Sequence, residues 1–221
     1  MSKDRNKSLI ISYLTLRRFI GILAMALPIV VVVGGFLQEG LHVQGSLSGY
    51  YYTNMRDVLV GLLSAVSLFL ISYSGYEKID NVVGNISGAF ALGMIIFPTA
   101  MYSGKVVKVG MFLVDDNVSE YLHLTFAALF FLSLSFYSTI LFTRRGPGAL
   151  GKEKRRRNMI YRVCGAVLII TIVCNVVYTL AFRNTAIANV NPVLILESLA
   201  LFAFGISWLV KGNTLFKDRA G

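Results

Sequence analysis

Six long apolar stretches are the feature that most limits what this chain of 221 residues can fold into. A hydrocarbon layer about 30 Å thick is crossed by roughly 20 predominantly apolar residues in a helix. Each stretch has about that length, and polar or charged segments separate it from the next. The predicted spans lie at residues 19–36, 58–76, 86–103, 122–142, 160–182 and 193–210.

The composition agrees with a membrane protein. Hydrophobic residues make up 56% of the chain and charged residues 14%, and the mean hydropathy is +0.68. An ordinary soluble domain is roughly 45–50% apolar and about 25% charged. We therefore expect an all-α integral membrane bundle of six transmembrane helices in a single domain, and not a soluble, disordered or disulfide-bonded protein.

The basic residues predict the orientation of the bundle. The net charge is +10, which taken alone would suggest nucleic acid, but 17 of the 21 Lys and Arg residues fall on one side of the predicted membrane. Basic residues concentrate in cytoplasmic loops. Both termini are therefore expected in the cytoplasm, the protein is expected in the plasma (inner) membrane, and no nucleic-acid partner is expected.

The segment 143–159 is the most basic loop of this predicted topology. It has two interpretations. The basic residues are the orientation signal alone, or they also hold anionic lipid headgroups at about 1 kcal/mol per charge. The residues concerned are Lys152, Lys154, Arg155, Arg156 and Arg157.

Two shorter apolar segments do not fit the six spans. Ser8–Leu16 is separated from the first span by Arg17 and Arg18, and predicts an N-terminal interfacial helix on the inner leaflet. Residues 106–114 are too short to cross a membrane, and an interfacial helix and a short strand both remain open for them.

Charged residues inside a membrane are costly, by roughly 2.5–3.5 kcal/mol at the centre of a helix. Glu197 lies about 7 Å into the sixth span, on a helical stripe that we expect to face the bundle. Polar residues of other segments reach the same outer layer, so we predict that Glu197 lies in one polar cluster with at least one of Asp57, Arg56, His123 and Asn175. Arg56 is the expected counter-charge, and the alternative is a set of Tyr and Asn neighbours. The predicted binding residues are Glu197, Asp57, Arg56, His123, Asn175, Tyr51 and Tyr178.

Most of these residues also have a purely structural interpretation. Asp57 is well placed to interact with the free amides and the dipole at the start of the second span. His123 at a helix start is typical of an interfacial histidine, and the tyrosines around Tyr51 are typical of an aromatic belt.

Three stretches, SLSGYYYTNMRD at 46–57, FPT at 97–99 and FGISWLVKG at 204–212, resemble segments of an uncharacterised bacterial family of multi-pass membrane proteins. The resemblance implies a bacterial membrane protein and no activity. Ser48, Asp57 and His123 also resemble the zinc-site residues of membrane hydrolases of the alkaline ceramidase and adiponectin-receptor type. Those proteins use three histidines, whereas this chain has two. A zinc here would have to use His123 with Asp57 and Glu197.

Three functions therefore remain open. The first is a protein with an outer-leaflet polar pocket that binds or transports a small molecule, an ion or a lipid headgroup. The second is a structural or accessory membrane protein, and the third is a membrane-embedded metal-dependent hydrolase. The chain has no Walker, dinucleotide-binding or HExxH motif, so no cofactor is expected.

Overall fold

The computed structural model describes residues 2–40, 43–101, 106–144, 151–182 and 185–212, without the side chains of 2–12 and 39. The described chain is almost entirely helical, which confirms the all-α class. It contains six α-helices, which are α1 (Ser2–Glu39), α2 (Arg56–Ile71), α3 (Lys78–Ile96), α4 (Asp116–Phe136), α5 (Lys152–Val177) and α6 (Pro192–Lys211).

Shorter elements complete the described chain. Helices α4 and α5 each continue into a π-helical turn, at Tyr137–Leu141 and Tyr178–Phe182. Two 3-10 helices lie at Ser48–Tyr52 and Ala186–Val190. The segment that the sequence left open as helix or strand forms a small antiparallel hairpin of β1 (Lys108–Val109) and β2 (Val114–Asp115).

The six helices form a ring in chain order. Each helix packs against the next, and α6 returns to pack against α1. Aromatic rings fill the centre, with Phe130 of α4 edge-on to Phe204 of α6 at 6.3 Å between centroids, and Phe204 against Trp208 at 5.9 Å. These three side chains are fully buried, so the ring encloses an apolar axis.

Helices α1 and α6 are in close backbone contact at a pair of glycines. A Cβ on Gly21 would lie 2.8 Å from the carbonyl oxygen of Gly205, and a Cβ on Gly205 would lie 2.7 Å from that of Gly21. Any other residue at either position would force the backbones apart. Small residues at such crossings are how membrane helices gain van der Waals contact, because lipid provides little hydrophobic drive for association.

One end of the bundle, here called the basic end, joins the start of α1, the end of α6, the α2–α3 connection and the end of α4. Arg17 donates to the carbonyl of Lys211 at 3.3 Å. Arg144 forms an ion pair with Glu77 at 2.5 Å. The opposite end carries residues 43–55, here called the tyrosine loop.

Five helical segments of the described chain are long and apolar enough to cross a membrane. Helix α2 is not among them, because its 16 residues extend only about 24 Å. The predicted second span continued to residue 76, whereas α2 ends at Ile71. The five segments are Tyr13–Gln38, Lys78–Ile96, Asp116–Leu141, Lys152–Phe182 and Pro192–Lys211.

The boundaries of two other helices, α1 and α3, differ from the sequence expectation for identifiable reasons. Helix α1 is continuous through Arg17 and Arg18, so the expected separate N-terminal helix is instead an extension of α1. Helix α3 begins at Lys78, eight residues before the predicted span, because Glu77 and Asp80 form a capping box there. It ends at Ile96, since Pro98 disfavours helical geometry in the residue before it.

The predicted basic loop 143–159 is also partly helical. Helix α5 begins at Lys152, so the basic cluster forms its first turns. Residues 145–150 lie outside the described residues. Lys, Arg and Glu have good helix propensity, which favours a helix through the basic cluster.

Candidate functional site

The tyrosine loop is fastened to the start of α6 by two hydrogen bonds. The Leu194 amide donates to the Gly45 carbonyl at 3.0 Å. The Leu47 amide donates to Oε2 of Glu197 at 2.6 Å, and the Ser48 amide also faces this carboxylate. These amides open the 3-10 helix Ser48–Tyr52, where backbone donors have no intrahelical acceptor. Glu197 therefore provides the missing acceptor from a different helix.

Tyr52 fastens the other end of the same short helix. Its hydroxyl donates to the Thr99 carbonyl at 2.5 Å, which ties the tyrosine loop to the segment that follows α3. Burial, more than any other cause, raises the pKa of Tyr52 to about 12. The hydroxyl therefore keeps its proton, and its role as a donor, throughout the physiological pH range.

His123 of α4 is buried, and its ring replaces a hydrogen-bond donor that is missing at Pro98. A residue at position 98 would normally donate its amide to the carbonyl of Met94, but proline has no amide hydrogen. His123 Nδ1 lies 3.1 Å from the Met94 carbonyl and 2.9 Å from the Phe97 carbonyl. Because both partners are acceptors, we assign the proton of the neutral ring to Nδ1, which leaves Nε2 as an acceptor.

A polar cavity of about 520 Å³ lies between the tyrosine loop, α4, the π-helical end of α5 and the start of α6. Its described lining includes two carboxylates, Glu120 and Glu197, and no lysine or arginine. Ser46, Ser48 and Tyr178 add hydroxyl groups. The cavity is therefore rich in acceptors and negative in formal charge.

An apolar cavity of about 80 Å³ adjoins it within the ring. Side chains of five helices line it, among them Leu27 of α1, Leu63 of α2 and Phe131 of α4. The two cavities share four lining residues: Ser48, His123, Ala127 and Glu197. The polar groups of Glu197 and His123 therefore lie where a polar space meets an apolar one.

Arg56 and Asp57 lie away from this junction. The Arg56 guanidinium is stacked over the Tyr51 ring, 4.3 Å from its centroid, and donates to the Tyr51 hydroxyl at 2.7 Å. Arg56 and Asp57 are both exposed at the start of α2. The expected Arg56–Glu197 ion pair is therefore absent from the described residues, because Arg56 has Tyr51 within reach at the surface.

The two α5 residues differ in position. Tyr178 begins the π-helical turn and lines the polar cavity. Asn175, less than one helical turn earlier, is not among the lining residues of either cavity described here, and its buried Oδ1 has no hydrogen-bond partner among the described residues. Tyr51 lines the apolar cavity. Four of the seven predicted binding residues thus line one of these cavities: Glu197, His123, Tyr51 and Tyr178.

The expected zinc-ligand set does not come together. His123 and Glu197 share two cavities, but Asp57 is exposed and lines neither. His42 lies outside the described residues. Within the described part of the chain, no group of three His, Cys, Asp or Glu side chains is arranged to hold a metal ion.

Sequence reasoning missed Glu120 as a lining residue. Glu120 lies three positions before His123, and residues with this spacing share a helix face. It also missed the burial of Arg17, which was counted among the basic residues of the N-terminal segment and is only 2% exposed. The sequence did contain a signal for this: Tyr13 and Arg17 are four residues apart, so they lie on the same face of a helix.

The predicted lipid-binding cluster divides into exposed and anchored residues. Lys152, Arg155 and Arg156 are exposed at the start of α5. Lys154 donates to the Phe142 carbonyl at 3.2 Å, and Arg157 is buried. The cluster therefore partly holds α5 to the end of α4.

Comparison of the chain with protein-family models, with curated proteins and with solved structures finds no match. The fold and the site above therefore rest on this chain's own residues.

Proposed function

We propose that this chain is a multi-pass membrane protein that binds an amphiphilic molecule. Its polar end would occupy the polar cavity beside Glu197 and His123, and its apolar part would enter the adjoining apolar cavity. The observation that carries the proposal is that the two cavities share these two residues. Ligand pockets are typically 300–1,000 Å³ and combine apolar walls with a few convergent polar groups.

The chemistry of the polar cavity favours a ligand end that donates hydrogen bonds and carries positive charge. Glu197 and Glu120 supply carboxylates, and His123 Nε2 supplies a further acceptor. The described lining residues include no lysine and no arginine. A primary ammonium group fits this set, because it has three donors and no acceptor.

The hydrogen bond from Leu47 to Glu197 supports the accessory-protein alternative, since it gives the carboxylate a structural task. In that case Glu197 holds the tyrosine loop and the cavity has no dedicated ligand. A hydrolase is less well supported, because Asp57 lies outside both cavities.

A matched pair of ligands separates binding from the accessory role. The full chain, purified in a non-ionic detergent, is titrated with dodecylamine or with dodecanoic acid, and its thermal unfolding is followed. We expect dodecylamine to raise the midpoint and dodecanoic acid to have no such effect. The chains have the same length, so the difference reports the charge preference of the site.

The Glu197→Gln variant tests whether the carboxylate is the anchor. Glutamine keeps an oxygen for the Leu47 amide but has no charge, so the dodecylamine shift should disappear while the fold is retained. Glu153→Gln, at the start of α5, is the control and should keep the shift. Equal shifts with both ligands, or an unchanged shift in Glu197→Gln, would reject the proposed site and favour the accessory role.

We also propose that all six helices cross the membrane, with both termini in the cytoplasm of a bacterium whose inner membrane holds the protein. The 17-to-4 distribution of basic residues supports this orientation. Helix α2 is short, but local thinning of the bilayer accommodates a short span at modest cost. The tyrosine loop and the polar cavity would then face the outside.

A further inference from the structure

A cluster of buried cationic and aromatic side chains lies at the basic end, which is the end of the bundle opposite the tyrosine loop. The Arg17 guanidinium is surrounded by three tyrosine rings, with centroids at 4.0 Å for Tyr13, 5.5 Å for Tyr73 and 5.3 Å for Tyr76. Lys211 Nζ lies 5.4 Å from the centroid of the same Tyr76 ring. We call these five residues, with Trp208, the Arg17 cluster.

The Arg17 cluster has donors in excess of acceptors. Arg17 donates to the Tyr73 hydroxyl at 2.9 Å and to the Lys211 carbonyl at 3.3 Å, but its buried Nε has no partner among the described residues. The fully buried Nε1 of Trp208 has none there either. Trp208 belongs to the cluster through its ring, which lies 4.9 Å from the Tyr73 ring. A buried donor without an acceptor is destabilising, so each of these two groups would gain from an added acceptor.

The charges around Lys211 are predominantly positive. Within the described chain, the Lys211 ammonium feels the positive charges of Arg17, Lys154 and Arg157 against the carboxylate of Asp80. That carboxylate already accepts the Glu77 amide at 3.0 Å. The cluster thus brings together cations that desolvation would penalise without an added anion.

The depth of the cluster indicates what kind of anion reaches it. Arg17 lies near the start of the apolar segment Tyr13–Gln38, and Lys211 is the last residue of Pro192–Lys211. Both side chains are therefore near the ends of membrane-spanning segments, where lipid headgroups lie. Basic pockets between membrane helices are known to hold phosphorylated lipid headgroups.

From these observations we infer that the Arg17 cluster binds a phosphate group, with Lys211 and Arg17 as the cations, and that an anionic phospholipid of the adjacent leaflet supplies it. The site is separate from the proposed amphiphile site and from the exposed lysine and arginines at the start of α5. The tyrosine rings orient the cations, and the phosphate oxygens accept from Lys211 and from the free Nε of Arg17.

The chain's single tryptophan, Trp208, reports on this site directly. The full chain in dodecyl maltoside is titrated with phosphatidylglycerol or phosphatidylcholine, and tryptophan emission is recorded. We expect a saturable change with phosphatidylglycerol only. This comparison uses the unmodified protein, so it does not depend on any variant folding.

Three variants locate the site. Lys211→Met keeps the apolar stem and removes the charge, and should weaken phosphatidylglycerol binding about fivefold. Lys211→Arg should restore it. Lys78→Met removes an exposed charge at the same end, at the start of α3, and should leave the affinity unchanged.

Three outcomes would count against the inference. Equal responses to the two lipids, or equal losses in Lys211→Met and Lys78→Met, would overturn it in favour of general surface electrostatics. In the remaining arm, inorganic phosphate is added as a competitor at millimolar concentration. Displacement of the lipid by phosphate would overturn the lipid as the source and assign the site to a free phosphate.

Discussion

Glu197 of α6 accepts a hydrogen bond at 2.6 Å from the backbone amide of Leu47, which lies 150 positions earlier in the chain. The Glu197 carboxylate therefore has two roles. It completes the start of the 3-10 helix Ser48–Tyr52, and it lines the junction of the two cavities. A ligand that competes for Glu197 would also act on the tyrosine loop.

The stability of two Glu197 variants should separate these tasks. Glu197→Gln keeps an acceptor for the Leu47 amide and should cost about 1 kcal/mol of unfolding free energy. Glu197→Leu leaves that amide without an acceptor and should cost about 2–3 kcal/mol. Denaturation in detergent, followed by circular dichroism, measures both. If the leucine variant were as stable as the glutamine variant, the bond to Leu47 would have no structural weight.

The packing at the α1–α6 crossing can be tested by comparing one Gly→Ala substitution at the crossing with another in α2. Gly205→Ala places a Cβ 2.7 Å from the Gly21 carbonyl oxygen, so overpacking should cost about 1–3 kcal/mol. Gly61→Ala in α2 has no atom within 4 Å of the new Cβ and should be neutral or slightly stabilising. Thermal unfolding of both proteins provides the comparison. Equal effects would mean that the crossing is not tightly packed in the membrane.

Asp57→Asn should leave the fold intact. Asp57 is exposed in the first turn of α2, where its charge interacts with the helix dipole, so its loss should cost about 0.3–1 kcal/mol. The effect should shrink as salt is added, because exposed charges are screened. A salt titration of the unfolding midpoint checks this. Complete loss of folding would instead require Asp57 to be part of a buried network.

The crossing of α2 is testable with two cysteines introduced after Cys164 and Cys174 are replaced by alanine. Gln44→Cys precedes α2 and Ser74→Cys follows it. If α2 spans the membrane, a membrane-impermeant maleimide applied outside should label position 44 and not position 74. Labelling of both from the same side would show that α2 enters and leaves through one face, which leaves five spans.

Hydropathy was sufficient to predict a helical bundle, and the ends of the helices were harder. The stretch 58–76 is apolar to its end, yet α2 stops at Ile71, because Tyr73 turns back to meet Arg17 and Trp208. Those contacts join residues far apart in the chain, and a local hydrophobic window contains no information about them.

The candidate site was predictable only in part: the sequence identified Glu197 but not its hydrogen-bond partner. The high cost of a charge in a membrane identified Glu197, and this argument needs only its position in a span. The partner could not be identified, because sequence reasoning sought a charged side chain for Glu197, whereas the structure uses the Leu47 backbone amide. Backbone donors are the same at every residue, so sequence alone does not distinguish them.

The return of α6 to α1 has a consequence for biosynthesis. Among the described helices, the one made earliest, α1, and the one made latest, α6, meet at Gly21 and Gly205, and the Leu47 amide of the tyrosine loop is bonded to Glu197 of α6. While α2 to α5 are being made, the Gly21 face of α1 therefore lacks its α6 neighbour, and the newly made loop lacks its bond to Glu197. The ring of described helices closes only once α6 is made, so a chain truncated before α6 should be degraded faster than one that includes it.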